Sequence, residues 1–329
     1  MNTKRISELL NKGLSDGAYS CFAVAVGRGD EVLYKEFGGY RAIEPTKLPM
    51  TEDTLFDMAS LSKLIGTTMV ALKLIEAEKL SFENKLGDFF DNCYGKENIT
   101  IFDLMTHTSG IKAHFPLWLR GITPESAADE ILREKLGYPT SSNAVYTCMG
   151  YILLARILEK IEGEPLDKLA ERMVFSPLGM KNTCYCPKNK PCAATERDAD
   201  TGEILCGVVH DENARFLHGI SGNAGVFCDL DDCIRFATMV SKKGSGFIDK
   251  ALFDYVVTDF TPNFSERRGI GFQHIYNRYG HTGFTGTSLY NDKDSELYAI
   301  LLTNRVHPTR DNHKLFDIRP EFHKIVFGE

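Results

Sequence analysis

Ser60 and Lys63 stand three residues apart in Met58-Ala-Ser60-Leu-Ser-Lys63, where a loop-like segment gives way to a helical pattern. Residues three apart on a helix share a face, so the lysine amine can reach the serine hydroxyl. A serine hydroxyl is a weak nucleophile until a base takes its proton. A desolvated lysine close to another cation loses its own proton and can be that base. The first turn of a helix adds free backbone N–H groups and partial positive charge, both suited to developing negative charge. Ser-x-x-Lys is a short pattern and recurs at Ser109-Gly-Ile-Lys112. That copy contains Gly110 and follows Thr106-His-Thr, which reads as a loop, so Ser60 is the stronger candidate.

The two side chains meet only if the chain after Ser60 is helical. Leu64, Thr68, Ala71, Leu72 and Ile75 recur on one face and predict a helix over 61–79. Upstream, Ile6, Leu9, Leu10 and Leu14 predict an amphipathic surface helix. The runs CFAVAVGR (21–28) and EVLYKEF (31–37) flank Gly29-Asp30 and predict a β-hairpin that ends at Gly38-Gly39. Helical patterns follow over 101–105, 126–136 and 148–161, the last capped by Gly163 and followed by Pro165. The polar stretch 181–202 predicts a long surface loop. A short helix after Asp229, strands over 270–276, 287–290 and 297–302, and a helix over 315–327 complete the chain. Strands at both ends with helices between predict an α+β fold: residues 1–65 and 215–329 build one sheet region, and 66–214 form a mainly helical insert. The candidate site then lies in the cleft between them.

Composition narrows the chemistry. The 329 residues are 43% hydrophobic and 25% charged, enough for a sizeable core, and the net charge of −7 gives no reason to expect nucleic acid. Lys242-Lys243 and Arg267-Arg268 are too short to make a phosphate-binding stripe. No stretch approaches the roughly 18 apolar residues of a membrane span, and no apolar leader follows the first charges, so a cytoplasmic location is expected. Nine scattered Cys suit free thiols better than a disulfide framework. Cys184, Cys186 and Cys192, with Cys206 or His210, lack the paired spacing of a zinc site. No Gly-x-x-x-x-Gly-Lys-Ser/Thr is present. Gly219-Ile-Ser221-Gly-Asn223 lacks the last glycine of a nucleophile elbow, which argues against an α/β-hydrolase.

Two more short motifs stand in order after Ser60-Leu-Ser-Lys63: Tyr146-Thr-Cys148 and His281-Thr-Gly283. With them come DLMTHTSGI from Asp103, YILLARILEK from Tyr151, SPLGM from Ser176 and VHDENARFLHGISGNAGVF from Val209. On these residues the chain resembles the serine β-lactamase and D-alanyl-D-alanine-peptidase superfamily, in particular its class C-like and esterase-like branch, over about residues 55–306. The resemblance implies an antiparallel sheet flanked by terminal helices with an all-helical inserted region. It also implies acyl-enzyme chemistry at Ser60 on a small ester, amide or β-lactam, with no cofactor. It says nothing of oligomeric state.

The resemblance gives the remaining residues their expected roles. Tyr146 is the second base, its phenol needing cations nearby to move a proton at neutral pH. His281 stands where many relatives carry lysine, so a positive field that fades above neutral pH is expected there. Thr282, Gly283 and Phe284 line the substrate, with Gly283 leaving room at the strand edge. The backbone N–H groups of Phe284 and Ser60 form the oxyanion hole. Cys148 replaces the family's usual Asn or Asp. A thiol is a weak donor and acceptor, which moves the expectation from β-lactams and D-Ala peptides toward a small ester or amide. The alternative is a penicillin-binding or sensing protein that acylates without turnover.

Overall fold

In the computed structural model, which describes residues 1–328, the two ends of the chain meet in one sheet. Helix α1 (Thr3–Ser15) is capped by the Asn2 side chain and buries Ile6 and Leu10. Strands β1 (Cys21–Arg28) and β2 (Glu31–Ala42) form the expected hairpin around Gly29, and β3 (Leu48–Pro49) adds an edge. Strand β2 runs through Gly38-Gly39 instead of ending there. Gly39 sits at φ +91°, packed on the Ser20 carbonyl and Leu14, a conformation and a space only glycine fits.

The middle of the chain carries β4 (Phe56–Asp57), α2 (Met69–Glu76), α3 (Ile101–Met105), α4 (Ala127–Arg133), α5 (Met149–Glu162) and α6 (Leu166–Ala170). It continues with β5 (Cys184–Tyr185), α7 (Glu212–Phe216), β6 (Val226–Cys228), α8 (Leu230–Ser241) and α9 (Lys250–Val256). Strands β7 (Gln273–Ile275), β8 (Arg278–Thr282), β9 (Ser288–Asp292) and β10 (Leu297–Thr303) return to the sheet, and α10 (Leu315–Phe327) closes the chain.

The large sheet has the order β3-β2-β1-β10-β9-β8-β7, antiparallel throughout. Its register pairs Ala25 with Ile300 and Val24 with Leu301, so residues from opposite ends of the sequence alternate into two cores. Phe22, Val24, Val26 and Leu301 pack under α1 and α10 with Leu10 and Phe322. Ala23, Ala25, Ile300 and Leu302 face the larger core with residues of α2, α5 and α8. Burial on both faces explains why β1 is continuously apolar while edge-side β2 alternates. Each fully buried aliphatic side chain contributes about 1.5–3 kcal/mol, so this seam holds the two chain ends together.

Three elements differ from the periodicity. The expected 61–79 helix opens with a π-helical run, Lys63–Thr68, before α2. The 181–202 stretch contains β5, which joins β4 and β6 in a small sheet of order β4-β6-β5. The expected 270–276 strand shrinks to β7 because Gly271 has φ +76° and lies against Thr68, and a separate strand β8 follows.

Behind the small sheet, Glu196 accepts from His210 Nε2 (2.9 Å) and from the backbone N–H (3.0 Å) and Nε (2.5 Å) of Arg310. Burial alone would raise its pKa, but these hydrogen bonds outweigh burial and hold it at about 2. A carboxylate held below its unfolded value stabilises the fold fully above pH ~4.5 and loses that contribution as pH falls toward 2. Glu196→Gln should therefore lower stability by up to about 3 kcal/mol at neutral pH. Denaturant melts at several pH values check this: the gap to wild type should hold from pH 7 to 5 and narrow below about 4.5.

Candidate functional site

Strand β4 delivers the chain into a tight turn at Ser60. Asp57 caps this turn, its carboxylate accepting from the N–H groups of Ala59 (2.8 Å) and His210 (2.7 Å). Ala59 adopts φ +46°, a left-handed conformation that costs an L-residue about 1–2 kcal/mol. The turn is held from three sides. Met58 N–H donates to the Val226 carbonyl (2.9 Å), Thr285 Oγ1 to the Asp57 carbonyl (2.7 Å) and Thr287 Oγ1 to the Met58 carbonyl (3.2 Å). Gly283 belongs to this clamp. A Cβ there would lie 2.1 Å from Thr287 Oγ1 and 2.6 Å from the Met58 carbonyl oxygen. The glycine is required by close packing of the strand end on the turn before Ser60, and it also lines a cavity beside Ser60. Among the described residues, the backbone N–H groups of Ser60 and Phe284 donate to no protein acceptor.

Lys63 points back from the π-helical run into a fully buried position. Its Nζ lies 3.2 Å from Ser60 Oγ, 2.5 Å from Tyr146 Oη and 2.9 Å from the Asn223 carbonyl oxygen. Tyr146 Oη donates to Ser60 Oγ at 2.5 Å, which closes a three-membered ring of hydrogen bonds. Desolvation lowers the pKa of Lys63; Cys148 and Asp211 oppose this and the Arg268 charge adds to it. Desolvation and the neighbouring Cys148 push the Tyr146 phenol well above its usual range. Burial thus biases both members of the pair toward their neutral forms. An amine that has lost its proton can accept that of the serine, and the phenol is placed to donate to Ser60 Oγ.

His281 sits on β8 beside this ring, 5.6 Å from the Tyr146 ring centroid. Its Nδ1 donates to the Thr282 carbonyl (2.7 Å), so Nε2 carries no proton and faces Arg268 Nη1 at 3.5 Å. Burial, then Arg268 and Lys63, lower its pKa to about 3. His281 is neutral at any working pH, and the expected fading field does not arise from it. The cation is Arg268, buried, 5.2 Å from the Tyr146 centroid and ion-paired to Glu266, whose carboxylate also accepts from Tyr146 N–H. His107 closes the other side. Its ring lies tilted against Tyr146, centroids 4.9 Å apart, and its Nδ1 accepts from Thr147 N–H.

Ser60, Tyr146 and Phe284 line two cavities at once. One, about 310 Å³, is walled by Cys148, His114, Asp211 and Glu212. The other, about 360 Å³, is walled by Arg268, Gln273, His281, Thr282, Arg305 and Arg319. The first holds Asp211 and a Glu212 paired with Arg310, the second three arginines against Glu266, with the hydroxyl at their junction. Lys63, Tyr146, Cys148, His281, Thr282, Gly283 and Phe284 all gather around Ser60. The second copy of the short motif does not: Ser109 is buried in a loop, and Lys112 pairs with Glu134. Arg268, His107, Asn223, His114 and Asp211 escaped the sequence reading. Arg268 was visible beside Arg267 but was weighed only as a nucleic-acid contact.

Cys148 Sγ lies 3.5 Å from Lys63 Nζ and 4.0 Å from Tyr146 Oη. Burial raises its pKa, but the charge on Lys63 and a hydrogen bond from His114 outweigh burial and lower it. The same contact raises His114. The thiolate is the form that reacts with electrophiles. Iodoacetamide should therefore modify Cys148 with a pH midpoint below that of an ordinary thiol, and His114→Ala should raise that midpoint. Peptide mapping across pH checks this; a midpoint at or above the ordinary thiol value would contradict it.

Comparison with known proteins agrees with this geometry. Residues 6–322 match the family model described as Beta-lactamase. A Bacillus subtilis (strain 168) protein named N-acetylmuramyl-L-alanine amidase is 30% identical over 92% of this chain and 81% of its own. An Escherichia coli (strain K12) protein with the provisional name D-alanyl-D-alanine carboxypeptidase is 28% identical over 91% of this chain and 82% of its own. The octameric penicillin-binding protein homologue from Pyrococcus abyssi superposes with a TM-score of 0.82 at 19% identity, covering 100% of this chain and 78% of that one. The D-amino acid amidase from Ochrobactrum anthropi SV3 gives 0.78 at 17%, covering 98% and 99%. With a family match spanning nearly its whole length, the chain belongs to the Beta-lactamase family and is a serine hydrolase.

Proposed function

We propose that the protein hydrolyses the amide bond of an N-acylated amino acid or short peptide through an acyl-enzyme at Ser60, within the class C-like and esterase-like branch. The observation that carries this reading is the closed contact of Ser60, Lys63 and Tyr146 at the junction of the two cavities. Ser60 Oγ attacks the carbonyl carbon while its proton passes to Lys63 Nζ. The oxyanion is met by the N–H groups of Ser60 and Phe284, a pair whose members are each worth about 10²–10³ in rate. Tyr146 then protonates the departing nitrogen and is recharged from Lys63. The departing amine lies on the side of Arg268, because that guanidinium covers the Tyr146 ring. Water enters the acyl-enzyme, gives its proton back through the same pair and releases the acid. A basic wall suits an amine that carries a carboxylate. The names of the amidase and carboxypeptidase relatives both describe cleavage of such amides. Cys148, a poor partner for a substrate amide, makes β-lactams the weaker substrates.

A three-substrate assay tests the reading: a chromogenic cephalosporin, a short p-nitrophenyl ester and an N-acetyl-alanine panel of both hands, with wild type and Ser60→Ala. Amide and ester turnover that falls by at least about 10³-fold in Ser60→Ala is expected. Full activity in Ser60→Ala ends the proposal, and a stoichiometric burst without turnover favours the sensor alternative.

The pH profile supplies a second test. The base must be unprotonated, so kcat/KM falls as pH drops through the lowered pKa of Lys63. His281→Asn should change the rate and leave the position of this limb where it is. A limb that moves or vanishes would return the titrating role to His281.

A further inference from the structure

The basic cavity beside Ser60 does not end at the nucleophile. A second cavity, about 600 Å³, lies between the β7–β8 edge and α10, and the two share Gln273, Thr282 and Arg319 as common walls. The other two arginines of the near cavity are already engaged. Arg268 is ion-paired to Glu266, and Arg305 donates to the carbonyls of Phe284, Arg310 and Asn312. Arg319, half-buried on α10, has neither a hydrogen bond nor an ion pair among the described residues. Burial lowers its pKa, as expected of a guanidinium removed from water without a counterion. The far cavity also presents Arg278 and Lys324 against Asp317 and Glu321, and Glu321 is already paired with Arg5. His323 is kept neutral there by burial and by Arg278 and Arg319. A desolvated cation at the shared wall of two cavities is a place built for an anion that enters from the reacting centre.

We propose that Arg319 recognises a carboxylate on the leaving side, and that the released amine is a peptide of two or more residues that extends past Thr282 into the α10 cavity. The proposal rests on the hydrolase reading above and deepens it. A single amino acid would end in the near cavity. A dipeptide carries its terminal carboxylate one residue further along the β8 edge, toward Arg319 and the larger space.

Binding of free products tests this without passing through Ser60. Alanine, alanyl-alanine and alanyl-alanine amide, in all stereoisomers, are titrated into wild type, Arg319→Gln and Arg319→Lys by calorimetry. At least one dipeptide acid should bind about tenfold or more tighter than both its amide and alanine. Arg319→Gln should remove the acid-over-amide preference, and Arg319→Lys should keep part of it. Equal binding of acid and amide to wild type overturns the proposal, as does no measurable dipeptide binding or a preference that survives in Arg319→Gln. The wild-type comparison decides even if a variant folds poorly. Failure of the hydrolase reading would appear separately, as turnover that ignores Ser60→Ala.

Discussion

One buried amine organises this molecule. Lys63 has no exposed surface, no carboxylate partner, and two hydroxyls and a carbonyl within hydrogen-bond reach. An ammonium in that position carries a desolvation penalty that Cys148 and the more distant Asp211 offset only in part, so its pKa falls. An amine so placed, 3.2 Å from a serine, is positioned to take its proton. Tyr146 follows from the same balance. Burial and the neighbouring Cys148 outweigh the Ser60 hydrogen bond and the Arg268 charge, and the phenol keeps its proton. Exclusion of water thus biases both groups toward their neutral forms.

Holding that amine in place needs geometry that ordinary helices do not supply. The run Lys63–Thr68 is π-helical, and the residue before the nucleophile sits at φ +46°. Both are costly locally and are sustained by packing from distant parts of the chain. The clamp of Thr285 and Thr287 comes from the turn between β8 and β9, and the carbonyl on Lys63 comes from the segment before β6. The seam of β1 on β10 fixes these pieces relative to one another. The sheet built from both ends of the chain is therefore part of the catalytic apparatus, although none of β1 or β10 touches the site.

What could be read from the residues divides along the same line. Ser60, Lys63 and Tyr146 were legible because short motifs mark them and helical spacing relates the first two. The hairpin was legible from two apolar runs around Gly29-Asp30, and the terminal helices from apolar residues at helical spacing. The charge state of His281 was not, because it depends first on burial and then on Arg268, thirteen positions away on a segment with no periodic signal. The reason for Gly283 was hidden as well. A glycine in a motif reads as room for a ligand, and only coordinates reveal that the space is taken by the Met58 carbonyl. The π-helical run looked like a plain helix because its apolar face keeps nearly the same spacing.

The two cavities give the substitution at Cys148 its meaning. An amide side chain at that position would grip a substrate carbonyl on the acyl side by fixed hydrogen bonds. Here this cavity instead holds a thiol and an imidazole that shift one another's pKa, with the Asp211 carboxylate nearby. Such a wall discriminates weakly by hydrogen bonding, because a thiol is a poor donor and a poor acceptor. The opposite wall keeps guanidinium groups and the strand-edge Thr282, which bind strongly and directionally. Selectivity should then reside on the side of the departing amine, with a permissive acyl side. That asymmetry follows from which residues face each half of the cleft.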